Sequence, residues 1–600
     1  PRVCRSSGRY LLGTCFRGGC AGPPGTKLSN DCVMLLPLSS VTVLAVSLGG
    51  QTRHKQPHIV HFLADDVGYN EVGWTEYQTD GGGKRVHTPT MDTLVSEGIR
   101  LNRHYNYKIC GPSRSSILSG RLAVHVQISN GGGLTTYNPN DPFSGYAGIP
   151  RNMTTIATKM KYAGYRTHAV GKWDAGMATP KHTPFGRDFE TWLGYYNHAN
   201  DYWSKTLNLE ATGNIDSCLN AGLDFSELSK EYRGGVRDKH ALKNTTYEEW
   251  VFKQRALEII YSHNSCRDEP LFLFYSSHLI HTPLEVPVSY IQKVNQLSGD
   301  SFETDNQRLV AAMINYQDDV IAELVYALKS KQMWQDTLFV YFTDNGGAAY
   351  LPGSSTNHPL YGGKYSDWEG GVRSAAFVSG GFVPREKRGT DFNGTVSNAD
   401  WYATFCTIAG LNATFCLSDA DADEANRRIV AEGWNVPFLP RIDSRPQWDN
   451  ILAGTNGRRD PLHLSPNAIL RWPYKLVTGL QNYSFHQGNV YPNATTVSQY
   501  KAAQGPGFYD SHIFGHDISF TPPSALYQRD CDAPPGCLFD VEKDPGESNN
   551  LAGDRFHAYT LGELQRELAC ANQSLFEPDR GGLSKYGCIQ NARSGGFYGP

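Results

Sequence analysis

At 600 residues the chain is long enough for several domains, although large α/β enzymes put most of such a length into one core. Its 40% hydrophobic and 12% aromatic residues describe a globular protein and exclude wholesale disorder. Fifty-five basic and 59 acidic residues are mixed along the chain for a net charge of −4, which excludes a nucleic-acid footprint, so any anion chemistry must come from local clusters.

Segment 1–52 carries Arg2, Arg5, Arg9, Arg17 and Lys27 ahead of the apolar run Val33 to Leu48, which ends at Gly49-Gly50. It reads as a signal-peptide core and is set apart from the fold. The run is shorter than the ~20 residues of a membrane span and contains Pro37, so no stable membrane insertion is expected.

From Pro57 to Ala64 a β-branched, apolar run predicts a buried strand that delivers Asp65-Asp66 at its end. Met91, Leu94 and Val95 predict a helix after Thr88-Pro89, stopped by Gly98, and Ile99 to Tyr105 reads as a second strand. Cys110-Gly111-Pro112 leads into a short helix starting near Ser113. Thr154 to Tyr162 is helical, and Tyr165 to Val170 is a strand running into Gly171-Lys172-Trp173. Leu271 to Tyr275 is a strand ending near His278 and His281. A long amphipathic helix from about Asn306 to Lys331 precedes the strand Thr337 to Phe342, which ends in Thr343-Asp344-Asn345-Gly346-Gly347.

This β-α-β-α alternation predicts an α/β fold with a mostly parallel central sheet flanked by helices on both faces, where ligand chemistry gathers at the carboxyl ends of the strands. Beyond residue 450 the strands shorten, as at Tyr474 to Val477, and a helix is expected near Thr560 to Ala571. The organisation expected is therefore the leader 1–52, a catalytic domain over 53–450 and a smaller C-terminal α+β domain over 451–600.

The odd cysteine count of 13 becomes even when Cys110 is set aside. The spacings Cys406/Cys416, Cys531/Cys537 and Cys570/Cys588 suit disulfides of an oxidising compartment, with connectivity left open. Sequons begin at Asn152, Asn244, Asn393, Asn412, Asn482, Asn493 and Asn572. Both features point to the secretory pathway, with an extracellular or lysosomal destination.

Two adjacent carboxylates behind a buried strand are costly to place unless a cation neutralises them, and hard oxygen ligands suit Ca²⁺ or Mg²⁺. Asp344-Asn345 offers the same ligand types at another strand end; the alternative for either pair is helix capping. Cys110, near a helix start and beside arginines, reads either as a thiol of lowered pKa or as a structural cysteine.

Cys110-Gly111-Pro112-Ser113-Arg114, continuing to Leu118-Ser119-Gly120-Arg121, resembles the signature of the type I sulfatase family, whose cysteine a formylglycine-generating enzyme oxidises to formylglycine. Matches continue through His58 to Gly68, Thr88 to Gly98, Gly164 to Trp173, His281-Thr282-Pro283, Thr343 to Gly347 and Gly363 to Arg373, and Leu538 to Leu551 is similar to a C-terminal motif of the family. Its arylsulfatase B group is the most similar. The resemblance implies an alkaline phosphatase-like sandwich that hydrolyses aryl or carbohydrate sulfates through a covalent sulfated-enzyme intermediate. One Ca²⁺ per chain is implied, held by Asp65, Asp66, Asp344, Asn345 and the oxidised residue at Cys110. Arg114 and Lys172 match cations around the formylglycine and the sulfate, while His281 and Lys364 match residues that bind the ester and assist the departing alcohol.

One departure stands out. The family's Gly-Lys-Trp-His reads here Gly171-Lys172-Trp173-Asp174, which leaves Asp174 as the expected base for sulfate release. Rival readings are a phosphoester hydrolase of the same superfamily and a non-catalytic binder of sulfated glycans. Trp192, Tyr195, Tyr196, Tyr202 and Trp203 are either a platform for a sugar or aryl ring or part of the core.

Overall fold

The computed structural model describes residues 56–599 apart from 76–84, 131–136, 207–221, 265–268, 350–354, 487–528 and 583–592 and a few shorter gaps. The leader 1–52 lies outside the described residues, as do Cys4, Cys15, Cys20, Cys32, Cys218, Cys266, Cys588 and the sequon at Asn493.

Strand β1 (His58–Ala64) is buried along its whole length and sits in the middle of a nine-stranded sheet. Its remaining strands are β2 (Ile99–Leu101), β4 (Arg166–Gly171), β5 (Thr191–Gly194), β6 (Ser226–Leu228), β7 (Leu271–Ser276), β8 (Thr337–Thr343), β10 (Ala376–Ser379) and β11 (Thr390–Phe392). The order is β11-β2-β10-β8-β1-β7-β4-β5-β6. The centre is parallel: His61 of β1 stands opposite Phe274 of β7 and Val340 of β8. Antiparallel pairing is confined to β10 and β6, nearer the edges.

Because side chains alternate along a strand, β1 feeds two cores. Val60, Phe62 and Ala64 pack with the helices α1 (Pro89–Ser96), α4 (Glu248–Ser262), α5 (Val288–Ser298) and α6 (Asp305–Ser330). Ile59 and Leu63 pack on the opposite face with α2 (Cys110–Ser119), α3 (Ile156–Tyr162) and the helix Asp400–Ile408. Each fully buried large apolar side chain contributes roughly 1.5–3 kcal/mol, so the two layers together hold the sheet's carboxyl ends in place. Among the described residues no helix is long and apolar enough to cross a membrane.

The region Ile99 to Tyr105 forms two strands rather than one: β2 stays in the large sheet, whereas β3 (His104–Tyr105) joins β9 (Arg373–Ser374) and β12 (Val396–Ser397) in a separate three-stranded sheet. The aromatic group after β4 belongs to the core. Trp192, Tyr195, Tyr196 and Tyr202 are no more than 3% exposed, which removes the sugar-platform reading for these four, and Trp203 packs, partly buried, against the core that holds Tyr195 and Tyr202.

Beyond residue 460 a second, antiparallel sheet is built from β13 (Leu462–Ser465), β14 (Ala468–Arg471), β15 (Tyr474–Val477) and β18 (Cys537–Asp540), beside a hairpin of β16 (Gly479–Gln481) and β17 (Arg529–Cys531). One face takes Leu561, Leu564 and Leu568 of the helix Ala558–Ala571. Its other face shares a core with Tyr105, Trp368 and Val372 of the main body. Buried charge reinforces that seam: the Lys475 ammonium lies 3.0 Å from Glu369 and 2.9 Å from Glu547, with all three side chains fully buried. Disulfides join Cys406 to Cys416 and Cys531 to Cys537, as the spacing suggested.

Candidate active site

Four strand ends converge on one buried cluster. β1 delivers Asp65 and Asp66, β4 delivers Lys172, β7 leads through Ser276 to His281, and β8 delivers Asp344 and Asn345. Asp66 adopts a positive φ of 59°, and its carboxylate lies in the same cluster as that of Asp65. Across from these ends, the first turn of α2 presents Cys110, and Arg114 follows one helical turn later on the same face.

The helix starts at Cys110 rather than near Ser113. Pro112 is no obstacle in the first turn, where its missing N–H has no intrahelical partner to lose. Ser113 is the first residue to close a helical bond, its N–H donating to the Ile109 carbonyl at 3.2 Å.

Charges alternate throughout the cluster. Lys172 Nζ donates to Asp65 Oδ2 at 2.7 Å, Lys364 Nζ to Asp66 Oδ2 at 2.8 Å, and Arg114 Nε to Asp344 Oδ2 at 2.9 Å. Arg114 also donates to Ser276 Oγ and to the Lys172 carbonyl. Asn345 Nδ2 donates to Asp66 Oδ1 at 2.7 Å, and the Cys110 thiol lies 3.6 Å from Asp65 Oδ1 and 3.9 Å from Asp66 Oδ1. The loop carrying Lys364 is tied to the Asp344 loop, its N–H donating to the Gly347 carbonyl at 2.9 Å.

His281 Nδ1 donates to the Thr282 carbonyl at 2.8 Å, which leaves Nε2 facing Asp66 Oδ2 at 3.7 Å. Its sequence rival His278 is turned away: Nδ1 is 2.9 Å from Glu248 Oε2 and the ring stacks on Tyr202.

Burial drives most of the electrostatics. It pushes the Asp65 carboxyl well up, and the carboxylates of Asp344 and Asp66 add to that against the pull of Lys172 and Arg114. At Asp66 burial acts in the same direction but is outweighed by Lys364 and His281, so its carboxyl is held below the usual range. Burial opposes charge on Lys172 too, yet Asp65 keeps its ammonium raised. The His281 imidazole is held far below its ordinary value by burial and by Lys364 and Lys172.

The lowered thiol pKa expected for Cys110 is not found. Burial, followed by the Asp344 carboxylate, raises it well above the ordinary range and overrides the helix terminus and the cations. As a plain cysteine, residue 110 stays a thiol.

This cluster fits a hard divalent cation. Ligand atoms of Asp65, Asp66, Cys110 and His281 lie within 4.8 Å of one another, and Asn345 Oδ1 is buried without a hydrogen-bond partner among the described residues. An orphaned amide oxygen beside carboxylates is costly without a cation and well used with one. Asp65, Asp66 and Asp344 balance Lys172, Lys364 and Arg114, so a divalent ion would leave the cluster with two positive charges facing any ligand.

Asp174 closes the cluster's flank. It is 6% exposed, with a positive φ of 48°, and a Cβ on Gly111 would sit 3.3 Å from its Oδ1. Gly111 is thus the small residue that lets Asp174 approach the Cys110 backbone, while its N–H donates to Asn130 Oδ1 at 3.1 Å. Every site residue expected from the sequence lies in or against this one cluster. Ser276, Asn130 and His198 were missed. A strand-end rule applied to β5 as it was to β1, β4 and β8 picks out His198, four residues past Gly194.

A family model described as Sulfatase matches residues 57–411. Arylsulfatase J of Mus musculus is 30% identical over 363 residues, covering 60% of this chain and 54% of that protein. N-acetylgalactosamine-6-sulfatase of Mus musculus is 27% identical over 353 residues, covering 58% of this chain and 60% of that protein. The chain thus spans little more than half the length of these curated relatives. Among solved structures, Ps i-CgsB in complex with k-i-k-neocarrahexaose superposes with a TM-score of 0.61 at 20% identity, covering 90% of this chain and 98% of that one, a likeness of fold.

Proposed function

The chain belongs to the sulfatase family, and on that premise we propose that it hydrolyses sulfate esters at the cluster around residue 110. The observation that carries this reading is the convergence of three buried cations, Arg114, Lys172 and Lys364, on three carboxylates and the Cys110 thiol at the head of α2. A sulfate monoester repels nucleophiles, so its charge must be offset before attack on sulfur.

Asp65, Asp66, Asp344 and Asn345, with residue 110, would hold one Ca²⁺. When present, that ion supplies charge neutralisation, and a formylglycine made from Cys110 supplies a hydroxyl nucleophile in its hydrated form. Everything else falls to the chain's own side chains. Lys172 and Arg114 hold the carboxylates and present positive charge to the sulfate, and their near-complete burial means that they need no reorganisation when it arrives. Lys364 and His281, on the far side of Asp66, serve the ester oxygen that leaves with the alcohol. Asp174 stands at the flank of residue 110 as the proton acceptor. Because the cationic groups are buried and only His281 and Asp174 reach 6–7% exposure, the site suits a small anionic head whose carbon part stays outside. The sugar sulfates and aryl sulfates named for the relatives are the substrate classes to try first.

The test is expression in secretory cells with and without the formylglycine-generating enzyme, followed by mass spectrometry of the peptide carrying residue 110 and parallel assays on an aryl sulfate and an aryl phosphate. Conversion at 110 with preferential sulfate hydrolysis is expected. Unmodified cysteine in converting cells, or a preference for the phosphate, would sink the reading.

A further inference from the structure

Asp174 does not stand alone. The end of β4 continues to pair with the end of β5: Trp173 N–H donates to the Tyr195 carbonyl at 2.9 Å and Asp174 N–H to the Tyr196 carbonyl at 3.1 Å. That ladder sets the residues just past Tyr196 beside Asp174, and His198 Nδ1 comes to lie 2.6 Å from Asp174 Oδ1. The segment is pinned from behind, because Asp224 accepts the N–H groups of Tyr196 and Asn197 at 2.8 and 3.0 Å and the Asn197 side-chain amide at 2.8 Å. Asp174 Oδ2 is buried and has no hydrogen-bond partner among the described residues. One oxygen of the carboxylate is therefore in close contact with an imidazole, and the other has no protein partner among the described residues.

Resting on the sulfatase reading, we propose that His198 is the positioning residue for Asp174, and that the Asp174–His198 pair takes the place of the single histidine that the family resemblance implies after Gly-Lys-Trp. Asp174 lies against Gly111, beside residue 110, and accepts a proton on its unpartnered oxygen. His198 fixes the carboxylate's rotation through its contact at Oδ1. A lone aspartate here would lack this support: a buried carboxylate needs a partner to stay ionised, and a carboxylate free to rotate is a poorly aimed base. Burial raises the Asp174 carboxyl, but His198 ahead of Lys172 and Arg114 outweighs it and keeps the group ionised. His198 retains 14% side-chain exposure, so the pair also reaches from the buried cluster to solvent.

The experiment compares wild type, Asp174→Asn, His198→Ala and the double variant, each with its modification state at residue 110 determined by mass spectrometry. For His198→Ala the expected result is a fall in kcat of about 10- to 100-fold with KM within about threefold, as for other groups that orient a reacting residue. Added imidazole should restore part of that loss, which a purely structural role would not allow. The double variant should be no slower than the slower single variant. A readout free of turnover comes from melting temperatures of the unconverted protein, where the double variant should melt no lower than the less stable single one. The proposal is overturned if His198→Ala keeps kcat within about twofold of wild type, if imidazole restores nothing, or if the two substitutions add in either readout. A wild type that turns over no sulfate ester sinks the parent reading and this one with it. A wild type that does so while His198→Ala loses nothing sinks this one alone.

Discussion

Lys475→Met tests whether the seam between the two sheets is held by charge. In the native chain the ammonium sits between Glu369 and Glu547, and none of the three side chains reaches solvent. Burial opposes charge on Lys475, but Glu547 and Glu369 more than compensate and keep it protonated. Methionine fills a similar volume without the charge, so cavity formation contributes little and the cost is electrostatic. Removing one partner of a buried ion pair costs about 3–5 kcal/mol, because an uncompensated charge is left behind. Here the Tyr105 hydroxyl donates to Glu369 Oε2 at 2.9 Å and Arg373 lies 3.6 Å from the same oxygen, so Glu369 keeps support and the estimate falls toward the lower end. Glu547, whose carboxyl burial raises to about 7, takes up a proton instead. The urea-unfolding midpoint of Lys475→Met should fall accordingly, and Lys475→Met/Glu547→Gln should recover part of the loss. If Lys475→Met unfolds within about 1 kcal/mol of wild type, the buried triplet does not hold the seam, contrary to the usual cost of a broken buried pair.

Calcium at millimolar concentration should raise the melting temperature of wild type and not that of Asn345→Ala, and a chelator should reverse it; ligand at 100 times its Kd stabilises by about 2.7 kcal/mol, so a wild type indifferent to calcium would refute the cation site. The pair His125–Asp443, 2.8 Å apart, should make stability pH-dependent. Burial lowers the His125 pKa but Asp443 outweighs it and leaves it raised, so this contribution is complete below the ordinary 6.5 and is lost as pH rises through the folded value. The deficit in melting temperature of His125→Gln should therefore be larger at mildly acidic than at alkaline pH, and a deficit that grows on the alkaline side would contradict the assignment. In chain made by secretory cells, Asn244, which is exposed, should carry a glycan. Asn572 should not, because its side chain is bonded to His463 Nε2 at 2.9 Å and to the Pro466 carbonyl at 2.8 Å; peptide mapping after deglycosylation reads both. Gly171→Ala should destabilise strongly, since φ is 94° there and a Cβ would overlap the Ser276 carbonyl oxygen; near-wild-type melting would show that β4 and β7 can part at that point.

The ligand-bearing strand ends were legible because each follows an unbroken apolar run. A charged residue directly after His58 to Ala64 or Thr337 to Thr343 has few places to go other than the carboxyl edge of a parallel sheet. Cys110 and Arg114 were legible from their local motif, but the thiol's pKa was not: it depends on Asp344, 234 positions away, and on complete burial, neither of which a local pattern encodes. His198 sits in an aromatic-rich segment with no local signal of its own, because its meaning lies in the backbone pairing of Trp173 and Asp174 with Tyr195 and Tyr196. The Lys475 triplet was likewise invisible, since Glu369 and Glu547 meet it from segments 106 and 72 residues away, with no spacing rule to join them.

If residue 110 is converted as proposed, its complete burial sets a schedule for making the protein. A side chain that no solvent reaches in the folded chain is closed to any second enzyme, so an oxidation at this position must be finished while α2 is still open. Its covers arrive late: Asp344, which binds Arg114 from 230 residues further on, cannot close over the helix until β8 has been made. At roughly 5–20 residues per second of synthesis, that separation leaves a window of about 10–50 seconds after residue 110 emerges. A variant that folded its amino-terminal half faster would shorten this window, and its yield of modified protein would fall even if the finished fold were unchanged.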